Sequence, residues 1–87
     1  MSAGSAFDQE NSPLYEALRK WRTVEARAAN LPPYCILSDR TLATIAEHTP
    51  ATIDELSQLN GMGPVKIEKF GGAILAVVNE HADDQPQ

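Results

Sequence analysis

Apolar residues recur at helical spacing in the first third of the chain, where they form one stripe: Leu14, Ala17, Leu18, Trp21, Val24, Ala28 and Leu31. Ser12 followed by Pro13 is typical of a helix start, because proline has no N–H to leave unpaired there. The pattern therefore predicts an amphipathic helix over about residues 13–29. The two prolines in the segment NLPPY, residues 30–34, end this helix and predict an extended, polyproline-like connection.

Two shorter helices are predicted in the middle of the chain. Ser38 is placed to cap a helix over about residues 39–48, in which three apolar residues face inward: Leu42, Ile45 and Ala46. Thr52 followed by Glu55 has the spacing of a capping box, which predicts a third helix over about residues 53–58.

The last part of the chain predicts a helix interrupted by glycine. Pro64 suits a first helical position, and residues 65–70 follow as helix. Gly71–Gly72 disfavours helix, so we expect a bend or break there before the helix continues over residues 73–81. No stretch is a convincing strand. We therefore predict an all-α chain, a single compact globule of about five short helices around Trp21.

The bulk composition indicates one small domain. The chain has 87 residues, of which 43% are apolar and 22% charged. Residues 12–81 are predicted to form the domain, between a disordered lead over residues 1–11 and an acidic, disordered tail over residues 82–87. The first residues do not have the pattern of a signal peptide, and no apolar run approaches the roughly 20 residues that a membrane span needs, so we expect neither feature. The single cysteine, Cys35, is predicted to be a small buried residue, and it fits a reducing, cytoplasmic location.

Charge is distributed unevenly along the sequence. The net charge is −5, but four acidic residues lie in the flanks: Asp8, Glu10, Asp83 and Asp84. The remaining eight acidic and seven basic residues leave the body of the domain near −1. Four of the basic residues lie close together on the first predicted helix: Arg19, Lys20, Arg22 and Arg27. This basic face is either a phosphate-binding surface or a solvated face partly neutralised by Glu16 and Glu25.

Other candidate contacts for nucleic acid stand near prolines and glycines. Tyr34 follows two prolines, so its ring is either a rigid stacking platform for bases or a partly buried packing residue. Arg40 lies near Tyr34 in sequence, at a helix start where the dipole does not favour a cation. Lys66 and Lys69 lie one turn apart beside a glycine-rich corner.

That corner reads LNGMGP, and it has two interpretations. Gly61 is expected at positive φ, as is usual just past a helix end. The second glycine, Gly63, could let N–H groups at the next helix start bind a phosphate, as in a helix-hairpin-helix motif. Alternatively the segment is only a structural corner. Ile67 favours the corner, because the DNA-binding hairpin usually has a small residue at that position.

No catalytic or cofactor-binding pattern is visible. His48 and His81 have no metal-ligand spacing, so we assign no metal. A Ser–His–Asp set, a phosphate-binding Walker loop and a nuclease carboxylate cluster are likewise not found. We therefore expect no cofactor and no catalytic residues in this domain.

The order of these elements resembles the HRDC domain, the C-terminal module of helicases and RNase D. The segments that carry the resemblance lie within residues 13–81: ALRKWR, LPPY, SDRTL, PATIDEL and LNGMGPVKIEKFG. The pattern is most similar to the module of RecQ-type bacterial DNA helicases. The resemblance implies a five-helix globule that is not itself an enzyme, and it implies that Tyr34 and nearby basic residues contact single-stranded DNA.

Two functions are compatible with this sequence. The first is an accessory module of a RecQ-like helicase that weakly binds single-stranded or branched DNA and tunes the substrate specificity of the parent enzyme in repair and recombination. The alternative is a protein-interaction or regulatory module of a helicase or an RNase D-like nuclease, with little DNA affinity of its own. In either case we expect a monomer that works beside other domains of its parent, away from membranes and, in a bacterium, at the nucleoid.

Overall fold

The structure, a computed structural model, describes residues 12–82, and this part of the chain contains five helices. They are α1 Pro13–Ala29, α2 Pro33–Ile36, α3 Asp39–His48, α4 Ile53–Ser57 and α5 Pro64–Ala82. No strand occurs within residues 12–82, and the predicted all-α class is confirmed. None of the helices in this range is long and apolar enough to cross a membrane. The predicted lead over residues 1–11 and the tail beyond residue 82 lie outside the described residues.

Helix α1 starts as predicted but buries a different stripe. The Ser12 hydroxyl accepts a hydrogen bond from the Tyr15 amide at 3.0 Å, which caps the helix. The predicted stripe is wrong toward the C-terminal end, where Val24 is 63% exposed and Leu31 is 48% exposed. The reason is tertiary packing, because α2, α3 and α5 all pack against α1. They cover these residues: Leu14, Tyr15, Leu18, Arg22 and Ala26.

The segment after α1 is helical rather than extended, so the polyproline prediction is wrong beyond its first proline. Pro32 is extended, with φ −64° and ψ 150°, and it precedes a one-turn helix that begins at Pro33. Proline fits this first helical position because its fixed φ is already helical. The Cys35 amide donates to the Pro32 carbonyl at 3.0 Å, and the Leu37 amide donates to the Pro33 carbonyl at 3.3 Å.

Side-chain caps begin α3 and α4, as the sequence predicts. The Ser38 hydroxyl accepts from the Thr41 amide at 3.1 Å, and the Thr52 hydroxyl accepts from the Glu55 amide at 3.1 Å. The Glu55 carboxylate accepts from the Ala51 amide at 2.8 Å, one residue before the cap. These bonds pair amide groups that a helix start leaves unpaired, and so they fix the ends of two short helices.

The core is aliphatic, with the single tryptophan at its edge. The largest fully buried side chains are Leu14, Leu18, Leu37, Leu42, Ile45, Leu56 and Ile74. Trp21 is half-buried and meets Phe70 of α5 edge-on, with ring centroids 5.7 Å apart and an interplanar angle of 81°. Its indole N–H is buried and has no hydrogen-bond partner within residues 12–82. Trp21 therefore joins α1 to α5 at the boundary of the core rather than at its centre.

Helix α5 runs without a break through Gly71–Gly72, so the prediction that the helix could break there is wrong. Gly71 is buried beneath α4, and a Cβ atom at this position would lie 2.9 Å from Cδ1 of Ile53. The glycine therefore allows α4 and α5 to approach closely. Close packing with α4 offsets the low helix propensity that led to the predicted break.

The corner between α4 and α5 has the predicted backbone conformation. Gly61 has a φ of 92°, a value that favours glycine. A Cβ atom at Gly61 would overlap the hydroxyl group of Thr41, so α3 also requires glycine here. Met62 is 3% exposed and inserts into the core beside the turn.

Replacing Trp21 with alanine should destabilise the domain. The Trp21→Ala variant loses the contact with Phe70, and we expect a cost of about 3 kcal/mol, at the low end of the usual range because the ring is half-buried. Val24→Ala, on the same helix but exposed, is the matched control and should change stability by no more than about 0.5 kcal/mol. Thermal and urea unfolding measure both, and coincident curves for Trp21→Ala and the parent would contradict the assignment.

Two glycine-to-alanine substitutions should have opposite effects. Gly61→Ala should destabilise the domain by more than about 1 kcal/mol, because alanine is strained at positive φ and its methyl group meets Thr41. Gly72 lies inside α5, and a Cβ atom there would meet no neighbouring side chain within 4 Å. Gly72→Ala should therefore stabilise the domain by about 0.4–1 kcal/mol. Urea unfolding of both variants tests the sign, and equal effects would rule out this account.

Candidate nucleic-acid interface

The solvent face of α1 carries two basic residues without a partner. Lys20 and Arg27 are exposed, and neither side chain makes a hydrogen bond or ion pair within residues 12–82. They lie seven residues apart, close to two helical turns, so they share a face about 10 Å long. Arg19 is also exposed, and its guanidinium lies 3.7 Å from the Glu16 carboxylate. An exposed pair of this kind is weak, so Arg19 can exchange Glu16 for another anion.

Arg22 is placed differently from the other three basic residues of α1. It is 8% exposed, and Nη1 donates to the Leu37 carbonyl at 2.9 Å and to Oδ1 of Asp39 at 2.8 Å. Its Nε atom is buried without a hydrogen-bond partner in the described part of the chain. The sequence-based assignment of Arg22 to phosphate binding is not supported by this geometry, since its charge is used to join α1 to the α2–α3 connection.

Lys66 also uses its charge on backbone carbonyl groups. Its Nζ atom donates to the Ile36 carbonyl at 2.7 Å and to the Cys35 carbonyl at 3.3 Å. Together, Arg22 and Lys66 bind three successive carbonyl groups, those of residues 35–37, and we call this arrangement the carbonyl clamp. Carbonyl groups at a helix end have no partner within the helix and carry partial negative charge, so cations suit this position.

Tyr34 projects from the one-turn helix that the carbonyl clamp holds. The residue is 72% exposed, so the packing interpretation is wrong and the ring is accessible. Cys35 is exposed too, which corrects its prediction as a buried residue. Ile36, 2% exposed, is the residue of α2 that enters the core instead. One buried side chain thus anchors α2 while its neighbours face solvent.

Two further predicted cations remain available at the surface. Arg40 lies in the first turn of α3, three residues after Leu37, and Lys69 lies one turn after Lys66 on α5. Both are exposed, and neither side chain makes a hydrogen bond or ion pair within residues 12–82. Arg40 follows Tyr34 closely in the chain, and Lys69 lies on the same helix as Lys66, whose ammonium group binds the Ile36 carbonyl of α2. Both therefore stay candidates to act with Tyr34.

The carbonyl clamp is the arrangement that sequence reasoning missed. The sequence indicates that all seven basic residues could face solvent, whereas the structure divides them into two that bind backbone carbonyl groups and five that face solvent. No group of three or more metal-ligating side chains occurs in the described residues, and neither histidine belongs to one. The surface that the structure assembles therefore consists of one aromatic ring and dispersed cations.

Comparison with known proteins identifies similar chains. Residues 11–78 match the family model of the HRDC domain. The ATP-dependent DNA helicase RecQ of Haemophilus influenzae is 38% identical over 68 residues, which are 78% of this chain and 11% of that protein. A ribonuclease D of Sphingobium indicum is 37% identical over 68 residues, 77% of this chain and 18% of that enzyme.

A solved structure has the same fold. The third HRDC domain of D. radiodurans RecQ superposes with a TM-score of 0.80 and 32% sequence identity, over 84% of this chain and 96% of that one. This chain spans only about a tenth of the full helicases that it matches, 11% of one and 12% of another.

Arg22 and Lys20 should respond differently to the same substitution. Arg22→Met leaves the Leu37 carbonyl without its partner, and we expect a cost of about 1–3 kcal/mol in stability. Lys20→Met, the matched control on the same helix, should cost no more than about 0.5 kcal/mol. Urea unfolding compares the two, and equal stabilities would show that the carbonyl clamp does not contribute to folding.

Proposed function

The chain belongs to the HRDC domain family, and from that premise we propose that it serves a RecQ-like DNA helicase as an accessory nucleic-acid-binding module. In this proposal it binds single-stranded or branched DNA weakly and tunes the substrate specificity of its parent in repair and recombination. Helicase activity would belong to the parent, since the chain spans 11% of the H. influenzae relative. We further propose that it acts as a monomer, in the cytoplasm and at the nucleoid if the source is bacterial.

The observation that carries this proposal is the exposed ring of Tyr34. A tyrosine that is 72% exposed gains little from packing within its own domain, and its ring can stack on a base of any sequence. Base–aromatic stacking is worth about 1–3 kcal/mol per base. The helical turn at Pro33 fixes the backbone beneath the ring, so little further order is needed on binding.

Exposed cations supply the second part of the proposed site. Arg40 and Lys69 are exposed on α3 and α5, while Lys20 and Arg27 lie on the solvent face of α1. We expect about two or three phosphate contacts, and hence a shallow salt dependence with a slope of about −0.7 per contact for single strands. The affinity should fall in the non-specific range, about 10⁻⁴ to 10⁻⁶ M at physiological salt.

A protein-interaction module is the second candidate, and the exposed apolar side chains of α1 favour it. Val24 lies between Lys20 and Arg27 on the solvent face and is 63% exposed. Leu31, just beyond the end of the helix, is 48% exposed. The net charge of −5 also opposes long-range attraction of DNA. A mixed apolar and basic surface of this kind suits a protein partner, such as another domain of the parent enzyme.

A fluorescence-anisotropy titration with single-stranded, forked and duplex DNA at two salt concentrations tests the proposed function. Tyr34→Ala should weaken single-strand binding by about 1–3 kcal/mol, because the stacking ring is removed. Tyr34→Phe is the matched control: it keeps the ring and should keep the affinity. Circular dichroism should show both variants folded, since Tyr34 contributes no core packing.

The two candidate functions give different results in this experiment. Weak binding that falls with salt and depends on the ring supports the DNA-binding module. If the domain shows no titratable DNA binding even at low salt, the DNA-binding proposal is wrong and the interaction module is preferred. If Tyr34→Ala and Tyr34→Phe bind like the parent, DNA is bound elsewhere on the domain.

A further inference from the structure

We infer that Lys66 is a positioning residue for Tyr34: its ammonium group fixes the one-turn helix α2, and thereby the tyrosine ring, rather than contacting a phosphate itself. The structural part of this role follows from the contacts of Lys66 alone. Its consequence for DNA rests on the proposed function.

Helix α2 is too short to be stable by itself. It has four residues, Pro33–Ile36, whereas isolated helices shorter than about 12 residues are marginal in water. Its C-cap residue, Leu37, is already extended, with φ −152° and ψ 144°. The carbonyl groups of Cys35 and Ile36 therefore have no further helical turn to bind, and they need partners from outside α2.

Lys66 supplies those partners from a separate helix. Its Nζ atom reaches both carbonyl groups, at 2.7 Å for Ile36 and 3.3 Å for Cys35, and it belongs to the first turn of α5. Two of its three N–H donors are thus directed at backbone. The two bonds are made to the residues that directly follow Tyr34, so they fix the backbone beside the tyrosine and leave its ring exposed.

Arg22, on α1, holds the residue that follows α2. Its bond to the Leu37 carbonyl, 2.9 Å long, ties the end of the same segment to α1. With Ile36 buried at 2% exposure, α2 is fixed by one apolar anchor and two cations. Arg22 is a poor probe of positioning because its loss should also destabilise the core. Lys66, half-buried, is the better one.

Lys69 provides a matched comparison within the same helix. It has the same side chain, lies one turn further along α5 and is exposed, and its side chain makes no hydrogen bond or ion pair in the described range. A lysine that acts only through its charge should behave like Lys69. A lysine that positions Tyr34 should instead lose its effect on DNA binding when the tyrosine ring is absent.

A double-mutant cycle on the full 87-residue chain separates these roles, with single-stranded oligonucleotide as the probe. Lys66→Met keeps the aliphatic stem and removes the ammonium group. It should raise the Kd about three- to tenfold, as the binding-competent population of α2 falls. In the Tyr34→Ala background, Lys66→Met should have no further effect. Lys69→Met should act equally in both backgrounds, and it should reduce the salt slope by about 0.7 if it contacts a phosphate.

Amide hydrogen exchange followed by NMR gives a readout that needs no DNA. The amides of Cys35 and Leu37 make the backbone bonds that mark α2, at 3.0 Å and 3.3 Å. Lys66→Met should speed their exchange about three- to tenfold. The Leu42 amide, bonded to Ser38 at the start of α3, is the internal control and should not change. Lys66→Arg retains a cationic donor and should restore slow exchange at least in part.

Each outcome decides either the positioning role of Lys66 or the proposed DNA-binding function. Unchanged exchange at Cys35 and Leu37 in Lys66→Met overturns the positioning role. Losses from Lys66→Met and Tyr34→Ala that simply add, with a reduced salt slope, assign Lys66 to phosphate contact and overturn it as well. If exchange accelerates in Lys66→Met while the parent domain binds no DNA, the support of α2 by Lys66 is established. Only the proposed DNA-binding function is then overturned.

Discussion

Carbonyl groups at the end of a very short helix must find partners outside it, and this constraint organises the fold around α2. A four-residue helix pairs few of its own polar groups, yet Ile36 and the extended Leu37 beside it are buried. Unpaired carbonyl groups there would be costly. Arg22 from α1 and Lys66 from α5 meet this requirement, so one short segment connects the two longest helices of the described chain.

The same constraint divides the basic residues into two classes. Arg22 and Lys66, which form the carbonyl clamp, are withdrawn from external partners because their charge binds backbone carbonyl groups. The other basic residues keep their charge at the surface. For a domain with a net charge of −5, each withdrawn cation lowers the number available to a polyanion. A basic cluster in the sequence is therefore an upper bound on the positive charge that a partner meets. In this domain the aromatic ring, rather than the charge, distinguishes the exposed surface near α2.

Local chemistry explains which features were predictable from the sequence. Serine and threonine caps, proline at first helical positions and glycine at positive φ act within a few residues. The starts of α1, α3, α4 and α5 and the Gly61 corner therefore follow from the sequence, whereas α2 was expected to be extended. Packing between distant segments decided the rest. The continuity of α5 depends on Ile53 lying against Gly71. The role of Arg22 had one visible signal, since it lies four residues from both Leu18 and Ala26 on the buried stripe. The hydrogen bond from Arg22 to the Leu37 carbonyl could not be predicted from the sequence, because a backbone carbonyl group leaves no signal in the pattern of side chains.

Lys66 follows the Gly61 corner closely in the chain and binds α2, so it links the corner to a helix that is far from it in sequence. Lys66 lies in the first turn of α5, so the path of the corner determines where its ammonium group meets the carbonyl groups of Cys35 and Ile36. A substitution in the corner during evolution would therefore shift Lys66, which supports Tyr34, without altering any residue next to Tyr34 in the sequence. Divergence at the tyrosine position among relatives should therefore be accompanied by change at the corner, and the two segments should evolve as one unit.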